Sequence, residues 1–207
     1  MRIADLMNHT WAYRAWQAPF AEAKLRPLFE HNDLSRVRRV LDVGCGPGTN
    51  AHHFADVDYT GLDINDGYIA DARRRHGRDF RVADVTRLEP GTIEPADMVL
   101  VNSLLHHLDD TETHRTLASL PHLVTANGTV HILDLVLPDE LSPARAIARL
   151  DRGRYPRRVD EWRSIFSAHF TEQIFEPYTF ASLWAMVYFR GSVPPGGRGP
   201  RSDGVPR

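Results

Sequence analysis

The sequence predicts an α/β protein built on a doubly wound, mostly parallel sheet of seven strands. Three observations support this fold class. Short apolar runs alternate with segments able to form helices, a glycine-rich turn follows the first run, and the last two runs lie close together. Too few residues separate Thr171 to Phe180 from Trp184 to Arg190 for a crossover helix. These two strands are therefore predicted to pair antiparallel, as a hairpin that closes the sheet.

The first predicted strand leads directly into a turn with glycine at alternating positions. The segment reads Val40-Leu41-Asp42-Val43-Gly44-Cys45-Gly46-Pro47-Gly48-Thr49-Asn50. Because glycine has no Cβ, backbone N–H groups of such a turn can approach a ligand closely. A dinucleotide-binding turn would place a small residue at position 49 and an acid about 20 residues later. Thr49 fits that pattern poorly, and Asp63 ends the next predicted strand much sooner.

Each of the next four predicted strands ends at or near a polar residue. These strands are Tyr59 to Ile64, Phe80 to Val85, Ala96 to Asn102 and Gly128 to Asp134, with helices predicted over Asp66 to His76 and Thr111 to Leu123. In doubly wound sheets, ligands bind outside the carboxyl ends of the strands. The polar residues placed at this edge are Asp63, Asp84, Asn102 and Asp134. An alternative role for Asp84 is to cap a helix.

The glycine turn and the acids that follow it resemble the class I S-adenosylmethionine-dependent methyltransferases, of the type that acts on small molecules. The resemblance covers residues 36 to 190, and it implies a Rossmann-like fold and S-adenosylmethionine as the cofactor. It also implies that Asp63 accepts from the ribose hydroxyls, that Asp84 accepts from the adenine amino group and that Asn102 lies under the methionine part. The cofactor-binding residues predicted in this way are Asp42, Gly44, Cys45, Gly46, Gly48, Asn50, Asp63, Ile64, Asp84, Val85 and Asn102.

The candidate catalytic residues follow the fourth strand. Methyl transfer from a sulfonium is an in-line displacement, so a hydroxyl acceptor additionally requires a base near the ends of strands four and five. His106 and His107 stand there, and consecutive residues on a helical turn point about 100° apart. One of them is therefore the candidate base, with Asp134 as the acceptor that fixes its tautomer. The alternative is a histidine that caps the helix or supports the fold. No metal is predicted, because adjacent histidines converge poorly on one ion.

These residues predict a methyltransferase for a small-molecule acceptor, with oxygen as the expected atom. One alternative is transfer to nitrogen or carbon, and another is a catalytically silent partner subunit that binds the cofactor in the same fold. The arginine-rich stretch from Pro143 to Arg163 could clamp an anionic acceptor or form a solvated helix face. Lys24 could reach a carboxylate, but it is expected to be solvated. Acceptor identity and oligomeric state stay open.

The composition indicates one domain with attachments. With 207 residues and 42% apolar composition, the chain can bury one full core. A net charge of −2 gives no pull toward nucleic acid or a membrane surface. A single cysteine and the lack of a signal-like apolar segment predict a cytoplasmic protein. The predicted organisation is a helical cap over residues 1–35, the cofactor-binding methyltransferase domain over 36–190 and a disordered tail over 191–207.

Overall fold

The computed structural model describes residues 21–88, 91–150, 153–181 and 183–195. Residues 1–20 make up most of the predicted helical cap, and residues 196–207 make up most of the predicted tail. Both segments lie outside the described residues, so the two predictions stand as expectations.

The helices and strands alternate along most of the chain. The helices are α1 (Ala21–Glu30), α2 (Asp66–His76), α3 (Asp110–Ser119), α4 (Pro143–Leu150) and α5 (Val159–Ser167). The strands are β1 (Arg39–Val43), β2 (Asp58–Asp63), β3 (Asp79–Val82), β4 (Ala96–Asn102), β5 (Val124–Leu135), β6 (Thr171–Phe180) and β7 (Trp184–Ser192).

The seven strands form one sheet in the order β3-β2-β1-β4-β5-β7-β6. The first five strands pair in parallel, and β7 runs antiparallel between β5 and β6. The predicted fold class and the closing hairpin are therefore confirmed. Because β1 to β5 point the same way, their carboxyl ends meet at one edge of the sheet, which is the edge where ligands bind in this architecture.

Both faces of the sheet are covered by apolar side chains, as parallel strands require. On one face, Trp162 and Phe166 of α5 pack with Phe189 of β7 in a buried layer. On the other face, Leu25 and Leu28 of α1 pack against β5, β6 and β7. The amino-terminal end of α1 lies near the carboxyl edge of the sheet. The Tyr178 hydroxyl donates to the Lys24 carbonyl at 2.6 Å. Tyr178 is level with the end of β5, because it pairs with Met186, which in turn pairs with Leu135, the last residue of β5.

Several predicted boundaries are wrong, among them the start of the fifth strand, which is Val124 and not Gly128. The last strand was expected to end at Arg190, but Gly191 pairs with Val130 and Ser192 pairs with Thr171, so these two residues belong to the sheet and not to the tail. A Cβ on Gly191 would lie 2.6 Å from the Phe189 ring, which explains a glycine inside a strand. The third strand ends at Val82, because the next residues turn into a short 3₁₀ helix.

A fully buried histidine lies in β5. Nε2 of His131 lies 2.7 Å from Thr129 Oγ1, and Nδ1 lies 3.0 Å from the Tyr188 hydroxyl. Burial, with a smaller contribution from Arg190, lowers the pKa of His131 from 6.5 to about 3. Between pH 6.5 and about 3 the imidazole therefore stays neutral in the folded protein, whereas the same histidine takes up a proton in the unfolded chain.

We expect the folded state to lose stability as the pH falls from 6.5 toward 3, because the unfolded chain binds a proton at His131 that the folded chain excludes. At pH 5 the loss from this residue is about 2 kcal/mol. Denaturant unfolding of the native protein and of His131→Gln at pH 7 and pH 5 measures it. The variant should show a weaker pH dependence by that amount, and an equal pH dependence in both proteins would contradict the buried neutral imidazole.

No helix among residues 21–88, 91–150, 153–181 and 183–195 is long and apolar enough to cross a bilayer.

Candidate active site

The glycine turn after β1 has a backbone that requires glycine. Gly44, Gly46 and Gly48 have φ angles of +75°, +54° and +76°, a region that L side chains rarely adopt. A Cβ on Gly44 would lie 2.9 Å from the Leu104 side chain, and one on Gly48 would lie 2.9 Å from the Phe80 ring. The turn therefore requires glycine at these alternating positions. It lies between β2 and the loop that follows β4, and the backbone of the turn is at the carboxyl edge of the sheet.

Asp63, at the end of β2, is hydrogen-bonded to this turn. Its Oδ2 accepts from the Gly46 N–H at 2.8 Å, and its Oδ1 accepts from the Asn65 N–H at 2.8 Å. A carboxylate has about four acceptor positions, so two bonds leave capacity for two further donors. Ile64, the next residue, is 68% exposed at the same edge. The pair offers a charged acceptor beside an apolar surface, which suits a ribose and its attached base.

Asp42 is a buried carboxylate under the turn. Its Oδ2 accepts from the Tyr59 hydroxyl at 2.7 Å and from Asn50 Nδ2 at 3.0 Å. Among the described residues, Oδ1 has no hydrogen-bond partner. Burial raises the pKa of Asp42 from 3.8 to about 6, although both hydrogen bonds oppose the rise. A buried carboxylate oxygen without a donor is costly, which agrees with the raised pKa.

A chain of hydrogen bonds joins Asp42 to the end of β4. Asn50 donates to Asp42, and Asn102 Nδ2 donates to Asn50 Oδ1 at 3.2 Å. The predicted cofactor residues Asp42, Asn50 and Asn102 are therefore brought together, although 60 positions separate the first from the last. Cys45, between the glycines, is buried, and burial raises the pKa of its thiol. A buried thiol with a raised pKa is poorly suited to act as a nucleophile, and a contact of Cys45 with the cofactor stays a prediction.

Asp84 caps a short helix, which was the alternative role considered for it. Its Oδ1 accepts from the Thr86 N–H at 3.0 Å and from the Thr86 hydroxyl at 2.7 Å, so it caps the 3₁₀ turn Val85–Arg87. Arg87 lies 3.5 Å from its other oxygen. Val85 is buried. Acceptance of the adenine amino group by Asp84 stays a prediction. If Asp84 has this role, the hydrogen bonds of the cap also fix the position of its carboxylate.

His106 and Asp134 form a buried pair near the ends of β4 and β5. Nδ1 of His106 lies 2.6 Å from Asp134 Oδ1, and Asp134 Oδ2 accepts from the Leu105 N–H at 2.8 Å. The His106 residue is 4% exposed, and a Cβ on Gly153 would overlap its ring. His107 is exposed. Of the two predicted bases, His106 has the contact with Asp134 that fixes a tautomer, and a catalytic role for either stays a prediction.

Comparisons with known proteins agree with this geometry. A family model described as a methyltransferase domain matches residues 40–128, which span the strands from β1 to the first half of β5. The trans-aconitate 2-methyltransferase of Methylobacterium nodulans is 33% identical over 146 residues, which are 66% of this chain and 54% of that protein. Over this region the chain is similar to the class I S-adenosylmethionine-dependent methyltransferases. It spans about half the length of the relatives it matches.

Solved structures show that the methyltransferase fold extends beyond the matched segment. The N-methyltransferase NodS of Bradyrhizobium japonicum is similar with a TM-score of 0.66 at 18% identity, over 86% of this chain and 98% of that one. Human N-acetylserotonin methyltransferase, solved in complex with S-adenosylmethionine, is similar with a TM-score of 0.66 at 18% identity, over 87% of this chain and 55% of that one. At these identities the likeness concerns the fold.

Sequence reasoning missed the role of Arg157. The guanidinium is buried, and it donates to the Leu105 carbonyl at 3.3 Å and to the Leu108 carbonyl at 3.0 Å, on either side of the two histidines. It also bonds Asp110 at 2.8 Å and stacks over Trp162 at 4.8 Å. Arg157 is thus neither an anion clamp nor a solvated residue, the two roles weighed for the stretch as a whole. It holds the turn that carries His106.

Lys24 is also not where it was expected. Its residue exposure is 9%, so the prediction of a solvated lysine is wrong. The ammonium donates to Ser103 Oγ at 3.1 Å, and Ser103 Oγ donates to Asn102 Oδ1 at 3.3 Å. Ser103 has a φ of +56°, which is uncommon for a residue other than glycine. Packing of α1 against the sheet buries the lysine, and its position in the sequence carries no signal of this.

Proposed function

We propose that this methyltransferase uses S-adenosylmethionine to methylate a carboxylate oxygen of a small organic acid. The observation that carries the proposal is the burial of His106, the histidine that contacts Asp134. A hydroxyl acceptor needs a base that can touch it, whereas a carboxylate is already an anion and needs none. The relative from Methylobacterium nodulans is named for trans-aconitate, a tricarboxylic acid, and this supports the same class of acceptor.

In the proposed mechanism the protein contributes binding and alignment. S-adenosylmethionine, when bound, supplies a methyl group on a positively charged sulfur. Asp63 would accept from the ribose hydroxyls, Asp84 and Val85 would bind the adenine, and Asn102 would lie under the methionine part. The methyl–sulfur bond would break as the ester bond forms, and the sulfur would leave with the bonding electrons as S-adenosylhomocysteine. A carboxylate acceptor has no proton to lose, so no residue of the chain would be needed as a base. This division of roles assigns the main catalytic effect to proximity.

A second candidate is a hydroxyl acceptor with His106 as the base. The 2.6 Å contact between His106 Nδ1 and Asp134 Oδ1 favours it, because such a carboxylate fixes the tautomer that accepts a proton at the other nitrogen. In this case residues 153–155 would have to move away from the imidazole, since Gly153 packs on the ring and the Tyr155 N–H donates to the His106 carbonyl at 3.0 Å.

Transfer of a radiolabelled methyl group to trans-aconitate, simple dicarboxylates and matching alcohols tests both candidates. With a carboxylate acceptor, the product should release its label as methanol in alkali, because methyl esters hydrolyse and methyl ethers do not. A label that survives alkali would contradict the carboxylate proposal. Cofactor binding without transfer to any acceptor would favour a catalytically silent protein of the same fold.

The variants His106→Gln and His107→Gln separate the two candidates further. For a carboxylate acceptor, we expect folded His106→Gln to keep its turnover number within a few-fold and the turnover of the native protein to be flat between pH 6 and 8. For a hydroxyl acceptor, the same change should lower turnover by about 10²–10⁴. His107→Gln, in the exposed neighbour, is the matched control. Thermal unfolding of each variant shows whether the fold is retained.

A further inference from the structure

The chain contains a single lysine. Of 25 lysine and arginine residues, 24 are arginine, and the exception is Lys24. A solvated position would accept either residue, and this chain uses arginine at all its exposed cationic positions that the structure describes. Lys24 is buried, where lysine occurs rarely. An ammonium is a compact point charge on a flexible stem, whereas a guanidinium is a wide planar fork. The exception therefore coincides with a confined site.

The ammonium of Lys24 lies at the edge of the sheet where ligands bind. Ser103, which accepts from it at 3.1 Å, directly follows the last residue of β4. The Lys24 carbonyl is bonded by Tyr178, which is level with the carboxyl end of β5. The glycine turn and Asp63 belong to β1 and β2, on the other side of β4. Lys24 thus approaches from the half of the edge that the nucleotide part of a cofactor would leave open.

A directed chain of hydrogen bonds links this cation to the buried carboxylate of Asp42. Lys24 donates to Ser103, Ser103 to Asn102, Asn102 to Asn50 and Asn50 to Asp42, with every donor pointing the same way. Such a chain polarises its members and holds them in place. Because the left-handed backbone of Ser103 costs energy, the surrounding contacts must hold it there, as is common at ligand sites. The ammonium is therefore positioned and not mobile.

From this arrangement we propose that Lys24 binds a carboxylate in the active site. A positive charge removed from water attracts an entering anion more strongly than a surface charge does. Two sources supply that chemistry, the acceptor acid and the methionine carboxylate of the cofactor. The assignment to the acceptor rests on the proposed function, and the assignment to the cofactor does not.

Binding calorimetry on Lys24→Met and Lys24→Arg tests the inference. The ligands are S-adenosylhomocysteine, 5′-methylthioadenosine, which lacks the amino acid part, and trans-aconitate added to the complex with S-adenosylhomocysteine. We expect Lys24→Met to raise the dissociation constant of one carboxylate ligand about 10- to 100-fold and to leave that of 5′-methylthioadenosine unchanged. Lys24→Arg should recover part of the lost affinity. Arg26→Met removes an exposed charge from the same helix and should match the native protein.

A change confined to trans-aconitate assigns Lys24 to the acceptor, and a change in S-adenosylhomocysteine assigns it to the cofactor. Unchanged constants for both ligands would overturn the inference. If trans-aconitate does not bind the native protein, that acceptor is wrong, and the cofactor comparison still tests Lys24. Because the chain has one lysine, protein labelled with ¹⁵N-lysine gives a single side-chain signal. In the native protein this signal should shift with the carboxylate ligand and stay in place with 5′-methylthioadenosine.

Discussion

Replacing Arg157 with leucine is expected to lower the free energy of unfolding by about 2–5 kcal/mol. The guanidinium satisfies the buried carbonyls of Leu105 and Leu108 and the hydroxyl of Thr113, and leucine leaves all of them without this donor. The variant also lacks the stacking of the guanidinium on Trp162. The two carbonyls keep the Leu108 N–H and the Thr113 hydroxyl as donors, so the expected loss is that of hydrogen bonds to a charged group, each worth about 1.5–3 kcal/mol. Denaturant unfolding of purified protein measures the loss.

The neighbouring arginine provides the matched control. Arg158 is half exposed and pairs with the exposed Asp139 at 3.0 Å, so Arg158→Leu should change stability by less than about 1 kcal/mol. Arg157→Lys keeps the charge but lacks the fork that reaches several carbonyls, and it should fall between the native protein and Arg157→Leu. Similar losses in Arg157→Leu and Arg158→Leu would mean that the hydrogen bonds of Arg157 do not stabilise the turn.

The variant Asp63→Ala is expected to weaken the binding of S-adenosylhomocysteine about 10- to 100-fold, because a charge-assisted acceptor is worth about 1.5–3 kcal/mol. Part of the loss has an indirect cause, since Asp63 also holds the Gly46 and Asn65 N–H groups. Calorimetry measures the total. Asp58→Ala removes a carboxylate from the other end of β2 and should bind as the native protein does.

A hydroxyl-deleted ligand isolates the direct part of the Asp63 contribution. The 2′-deoxy analogue of S-adenosylhomocysteine lacks one donor that Asp63 is proposed to accept. It should bind the native protein more weakly than the parent compound, and the two should bind Asp63→Ala with similar affinity. If the ratio of the two affinities is the same in both proteins, the assignment of the ribose to Asp63 is wrong.

Several elements were predictable because their determinants are local. The bounds of α2 match the prediction, since Asn65 caps its first turn and Gly77, with a φ of +59°, ends it. β4 matches as well, because an apolar run ends there at a polar residue. The third strand was predicted too long, since the cap formed by Asp84 is a local alternative to the strand and takes precedence.

The features of the candidate site likewise depend partly on local sequence and partly on distant packing. The glycine turn is a local steric requirement, and the resemblance that it carries led to the family and the cofactor. The positions at the ends of strands four and five predicted that Asp134 would contact one of His106 and His107, and the structure places His106 there. What only the tertiary structure decided is which polar side chains are withdrawn from water. His106 is covered by a segment nearly 50 residues away, Arg157 reaches back to the turn after β4, and Lys24 meets Ser103 across 79 positions. Burial of a single polar residue depends on such distant packing partners, and periodicity and composition do not encode it.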